Sequence, residues 1–174
     1  MSLLVLALVG CGVRVGDTAD FELDPCATTD PGVQVGNGEF EHVPVEDGDA
    51  VLMTHGPQGG WHVWFSFEAY NIGETVIFNI TGDDQDTQAR LIDETVNLAL
   101  VQAEDPACAG IAYGQFGYLP GDDPETTEDE SPPASLAGHS MVMGVTVTDL
   151  TDATLTAHDE VTVTLACDPV DNCD

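Results

Sequence analysis

A two-residue rhythm of apolar and polar side chains is the strongest constraint on this chain. Trp61, Val63, Phe65 and Phe67 fall on one side of an extended backbone, while His62, Trp64, Ser66 and Glu68 fall on the other. The same period runs through Val76, Phe78 and Ile80, through Val96, Leu98 and Leu100, and through Met141, Met143, Val145 and Val147. It returns in Val161, Val163 and Leu165. Threonine fills many of the intervening positions, and threonine with valine suits a pleated, half-buried surface. Hardly any segment holds a helical period over ten residues. Gly, Pro, Asp and Asn punctuate candidate strands at 39–45, 50–55, 61–70, 74–81, 87–92, 95–103, 111–119, 139–148 and 160–167. Seven to nine short strands in one domain of this size predict an all-β, antiparallel β-sandwich.

The N-terminal stretch carries an address. An apolar run from Leu3 to Val9 ends in Leu8-Val9-Gly10-Cys11. Spanning a bilayer takes roughly 20 apolar residues, so this run is too short and has the length of a signal-peptide core. Small residues just before a cysteine are the order of a lipoprotein processing site. Residues 1–10 therefore read as a signal peptide and Cys11 as the acceptor of acyl chains, although no Lys or Arg precedes the run. The expected partner is a lipid membrane, gripped stably because more than one chain is attached. Gly12, where an inner-membrane retention signal has Asp, points to the outer membrane of a Gram-negative envelope. Residues 11–31 form an acidic tether, and 32–174 the β-sandwich domain with an acidic loop at 121–135.

Charge excludes several functions. There are 32 acidic residues against two basic ones, Arg14 and Arg90, giving a net charge of −30. Such a chain repels phosphate backbones, so no nucleic-acid partner is expected, and it disfavours anionic lipid headgroups. Adaptation to a salty exterior and Ca²⁺ binding both fit an acidic chain. The acids are spread along the whole sequence, which favours the first. Neither Asp83-Asp84-Gln85-Asp86 nor Asp122-Asp123-Pro124-Glu125 has the Gly and distant Glu of an EF-hand loop. With Cys11 acylated, Cys26, Cys108, Cys167 and Cys173 remain, an even set suited to two disulfides in an oxidising compartment. Of the three pairings, Cys26–Cys108 with Cys167–Cys173 is favoured.

One turn stands out: His55-Gly56-Pro57-Gln58-Gly59-Gly60-Trp61-His62. Its glycines permit positive φ, and two histidines and two tryptophans flank it. With Val35-Gly36-Asn37-Gly38, Phe40, Asp47-Gly48 and Val51, it resembles a group of uncharacterised bacterial lipoproteins with a Gly-Pro-Gln-Gly-Gly-x-His turn. The resemblance covers about residues 33–66 and, loosely, 139–167. It implies an immunoglobulin-like sandwich at the cell envelope and brings no activity with it. The closing strands, Val145-Thr-Val-Thr-Asp and Val161-Thr-Val-Thr-Leu, also look like the last pair of such a module.

Two functional readings follow. In the first, the turn is a recognition loop without a cofactor. His55, Gln58, Trp61, His62 and Trp64 would then contact an unknown protein or envelope ligand. In the second, His55 and His62 combine with His139, Met141 and Met143 as a soft imidazole and thioether set for copper. Met141 and Met143 also suit core packing. The sequence has no Gly-x-Ser-x-Gly elbow, no His-Glu-x-x-His and no phosphate-cradling loop beside a lysine. Carboxylates are too plentiful to single out an acid/base pair. A non-catalytic module is therefore expected.

Overall fold

The computed structural model describes residues 26, 29–56, 59–104, 108–121, 133–171 and 173. Cys11, residues 1–10 expected as a signal peptide, Gln58, most of the expected tether and residues 122–132 lie outside them. Ten strands are described. They are β1 (Gly32–Asn37), β2 (Val43–Pro44), β3 (Ala50–His55), β4 (Trp61–Tyr70) and β5 (Thr75–Asp84), then β6 (Arg90–Ala99), β7 (Val101–Gln102), β8 (Ala109–Leu119), β9 (Ser140–Asp149) and β10 (Thr156–Cys167). A short 3-10 turn, Ala134–Leu136, precedes β9 and buries Leu136.

The strands make one all-β sheet curled into a half-barrel. Its front half contains β1, β2, β4, β7 and β8, centred on β4. Its back half runs β3-β10-β9-β5-β6. β3 joins the halves. Residues 50–53 pair with 164–167 of β10, while Thr54 and His55 pair with His62 and Trp61 of β4. The β3–β10 pair is parallel, so the sheet is mixed and departs from the antiparallel expectation. β3 takes its direction from the hairpin into β4, and β10 takes its own from the hairpin out of β9. The two strands meet running the same way.

The core lies between the halves. Val63, Phe65, Phe67 and Ala69 of β4 face inward, as do Val76, Phe78 and Ile80 of β5 and Met141, Met143, Val145 and Val147 of β9. Each is 1% exposed or less. Phe67 and Phe78 meet across the gap with ring centroids 5.1 Å apart. Burying side chains of this size stabilises by roughly 1.5–3 kcal/mol apiece. Disulfides join Cys26 to Cys108 and Cys167 to Cys173, as the favoured pairing expects.

Three local features differ from expectation. β1 falls at residues 32–37 and only Val43–Pro44 of the expected 39–45 strand pairs. The expected strands 87–92 and 95–103 are largely one strand, β6, because Asp93 and Glu94 do not break it. Asp93 accepts a hydrogen bond from Asn79 on the neighbouring strand at 2.9 Å. The chain reversal sits earlier, where the Asp84 carboxylate accepts the Asp86 N–H at 2.9 Å and the Gln88 N–H reaches the Asp84 carbonyl at 2.8 Å.

Candidate binding face

β4 has two unlike faces. Its inward side chains fill the core, and alternation turns His62, Trp64, Ser66, Glu68 and Tyr70 outward. The register with β8 sets Tyr118 beside His62 and Phe116 beside Trp64. Directly opposed residues of antiparallel strands share a face and touch. A cluster of four rings results. His62 meets Trp64 edge-on at 4.6 Å and Phe116 edge-on at 4.8 Å. Trp64 and Phe116 are 4.6 Å apart, and Phe116 stacks with Tyr118 at 5.7 Å with 14° between their planes. His62 is 1% exposed, whereas Phe116 and Tyr118 keep 41% and 53% of their surface in solvent. The outer face is a shelf of aromatic rings with an imidazole buried as its base.

A second histidine lies farther along the same face. His42 shares a hydrogen bond between its Nδ1 and Ser66 Oγ at 2.9 Å. A Cβ on Gly36 would lie 2.5 Å from the His42 ring, so this close approach requires glycine. His42 Nε2, His62 Nε2 and Trp61 Nε1 are buried and have no hydrogen-bond partner among the described residues. A buried polar atom left wholly unsatisfied costs about 1–3 kcal/mol. All three of these atoms lie on or against β4.

Burial holds both imidazoles below the ordinary histidine value. The Asp171 carboxylate opposes this at His62 while His55 adds to it, and Glu68 opposes it at His42. The base of the shelf is therefore uncharged at neutral pH.

The residues of the expected recognition loop divide between the faces. His62 and Trp64 lie in the shelf. Trp61 faces inward and is 5% exposed, so it packs the core and does not present a contact. His55 pairs with Trp61 in register and packs its ring 5.2 Å away. It therefore projects to the face opposite His62. The hairpin itself follows the sequence: Gly59 and Gly60 have φ of 93° and 79°, and the Gly56 N–H donates to the Gly60 carbonyl at 2.8 Å. Sequence reasoning missed Phe116 and Tyr118. Their alternation with Gly117 and Leu119 is visible, but their pairing with β4 is not.

The copper set does not assemble. Met141 and Met143 are fully buried in the core between the halves. His139 is held in the back half, its Nδ1 3.0 Å from Asp84 Oδ2. His55 and His62 point to opposite faces of the front. Strand alternation and core packing separate ligands that lie close in the sequence.

Among the described residues, Asp84, Asp86 and His139 form a different group, with ligand atoms all within 4.8 Å of one another. The chain's own donors already occupy it. Asp84 accepts from Thr87 Oγ1 at 2.5 Å and from the Asp86 N–H, and Asp86 accepts the Ser140 N–H at 2.9 Å. Burial alone would raise the Asp84 carboxyl, but the hydrogen bonds from Thr87, His139 and Asp86 hold it below its usual range. The group ties β5 to the start of β9.

No family model matches the chain, and no curated protein matches it in sequence. Among the described residues, no helix is long and apolar enough to cross a membrane.

Proposed function

We propose that the chain is a non-catalytic binding module of the cell envelope, anchored in the outer membrane by acyl chains on Cys11. It meets a protein or other envelope ligand through the outer face of β4 and β8. One observation carries this reading: Trp64, Phe116 and Tyr118 form a continuous, partly exposed aromatic shelf on a sheet face that the core does not use. Aromatic side chains of this kind are enriched at protein contacts and among the residues that carry binding energy. Exposed apolar clusters on a water-facing surface otherwise invite aggregation.

A photo-crosslinking amino acid placed at Phe116 in the full chain, expressed in its own cells, should trap a discrete partner. The same group at Thr146, on the outer face of the back half, should trap none. Equal trapping from both sites, or none from Phe116, contradicts the reading. The anchor has a separate test. Cys11→Ser should abolish uptake of labelled palmitate and release the chain from the membrane fraction. Unchanged uptake and fractionation would remove the lipid from the account.

A further inference from the structure

We propose that the aromatic shelf takes a cationic partner, an arginine- or lysine-rich protein segment whose charged groups lie over Trp64, Phe116 and Tyr118. This rests on the binding-module reading and names the chemistry of its partner.

Charge complementarity is the first support. A chain of net charge −30 draws cations towards any exposed surface and repels anionic lipids and nucleic acids. The rings supply the second. A guanidinium or ammonium within about 6 Å of an aromatic centroid is attracted by the negative face of the ring, and guanidinium also stacks flat upon it. Three such rings lie in sequence here at 4.6 and 5.7 Å spacings.

Among the described residues, no lysine or arginine covers the shelf. Arg90, the one basic Lys or Arg side chain among the described residues, is on β6 in the back half, paired with Asp83 and 3.9 Å from Asp93. One carboxylate lies within the outward row of β4 and another acts on His62 at its start. Glu68 accepts the Tyr70 hydroxyl at 2.7 Å on the same strand. Near His62, Asp171 accepts the His55 N–H at 2.8 Å. These carboxylates can receive charge-assisted hydrogen bonds from an arriving arginine. The neutral His62 beneath the rings opposes no incoming charge. A neutral oligosaccharide would use the rings but gain nothing from the field, so a cationic segment is the better fit.

The test is calorimetric titration of the full chain with octa-arginine at about 150 mM salt, where distant surface charges are largely screened. Two double variants are compared, Phe116→Ala/Tyr118→Ala on the shelf and Thr146→Ala/Thr148→Ala on the back. Neither changes the net charge. The shelf variant should bind about tenfold more weakly or worse, and the back variant as the parent. Phe116→Leu/Tyr118→Leu keeps apolar bulk without the rings and should weaken binding likewise, which guards against a loss caused by misfolding. Equal affinity in all variants would mean that octa-arginine samples the field alone, and would overturn the proposal. Cellohexaose is the neutral probe. If it binds in a ring-dependent way and octa-arginine does not, the cationic partner is wrong while the binding face survives. Absence of crosslinks from Phe116 in cells would instead remove the face itself.

Discussion

The front and back halves of the sheet share one inner core and differ on their outer faces. On the back, outward side chains are tied to their cross-strand neighbours. Thr148 and Thr156 share a hydrogen bond at 3.1 Å, and so do Thr146 and His158 at 3.0 Å. Asn79 donates to Asp93, to the Glu94 carbonyl and to Thr95 at 2.9, 3.2 and 3.1 Å. These polar positions are satisfied within the surface itself, beside the exposed side chains of Leu52 and Ile77. On the front, aromatic rings and imidazoles stand among the outward residues, and two of their ring nitrogens have no hydrogen-bond partner among the described residues. Folding requires only that the inner face be apolar. The outer residues are free of that demand, so their chemistry reports on what the surface meets.

The largest expected effects test whether the two halves are held as described. Each has its own disulfide, but the loops closed differ greatly, with sequence separations of 82 and 6. Chain-entropy reasoning assigns about 4–5 kcal/mol to Cys26–Cys108 and about 2 kcal/mol to Cys167–Cys173. Denaturant unfolding of the two Cys→Ser pairs should therefore show a much larger loss in the first. Equal losses would mean that ring closure is not what the front staple contributes.

Next come two phenylalanines of the front half, one on each face. Phe67→Ala empties a fully buried site and should cost about 3–5 kcal/mol. Phe116→Ala removes a ring that is 41% exposed and should cost under about 1.5 kcal/mol, with the fold intact. Comparable losses would show that the shelf is core, and the contrast between the faces would fail.

A smaller effect, gated by pH, belongs to the end of β9. The Asp149 carboxylate accepts the Thr151 hydroxyl and N–H at 2.7 and 2.6 Å, the Asp152 N–H at 2.9 Å and the Gly73 N–H at 2.8 Å. The Thr151 hydroxyl and the backbone donors lower its pKa from 3.8 to about 2. A carboxylate whose folded value is depressed contributes fully above its unfolded value, and loses that contribution as pH falls through the folded one. The melting-temperature gap between the parent and Asp149→Asn should thus be full at neutral pH, narrow below about 4 and close near 2. A gap independent of pH would mean that the charge of Asp149 is not what holds the loop. The most diffuse effect is salt: with a net charge of −30, stability should rise with added NaCl through screening of repulsion. A flat response up to molar salt would separate composition from stability.

The sequence makes much of this frame legible. The residues of β3 and β4 follow directly from alternation and the glycine turn, because both signals are local. β1 is hidden since Gly32, Gly36 and Asn37 dilute its pattern, and its pairing with β4 is non-local. β6 looks like two strands because Asp93-Glu94 resembles a turn until Asn79 is seen to donate to the Asp93 carboxylate and the Glu94 carbonyl, with Arg90 near Asp93. At the site, the sequence singles out His62 and Trp64 through the hairpin that precedes them. It cannot place Phe116 and Tyr118 beside them, since that contact joins positions more than fifty residues apart through a register that only the folded sheet supplies. Grouping Trp61 with the recognition residues fails for the converse reason. Nearness in sequence is not a shared face when the period is two.

The most direct test of the front face is hydroxyl-radical footprinting of the full chain, once purified and once in its own cells. Phe116 and Tyr118 report on the shelf, and Ile77, which is 37% exposed on the outer face of the back half, serves as the internal reference. A partner seated on the shelf predicts that labelling of Phe116 and Tyr118 falls in cells relative to the purified chain while Ile77 is unchanged. Equal labelling of all three in both settings would show the shelf bare where the protein works, and would contradict the assignment of this face to binding.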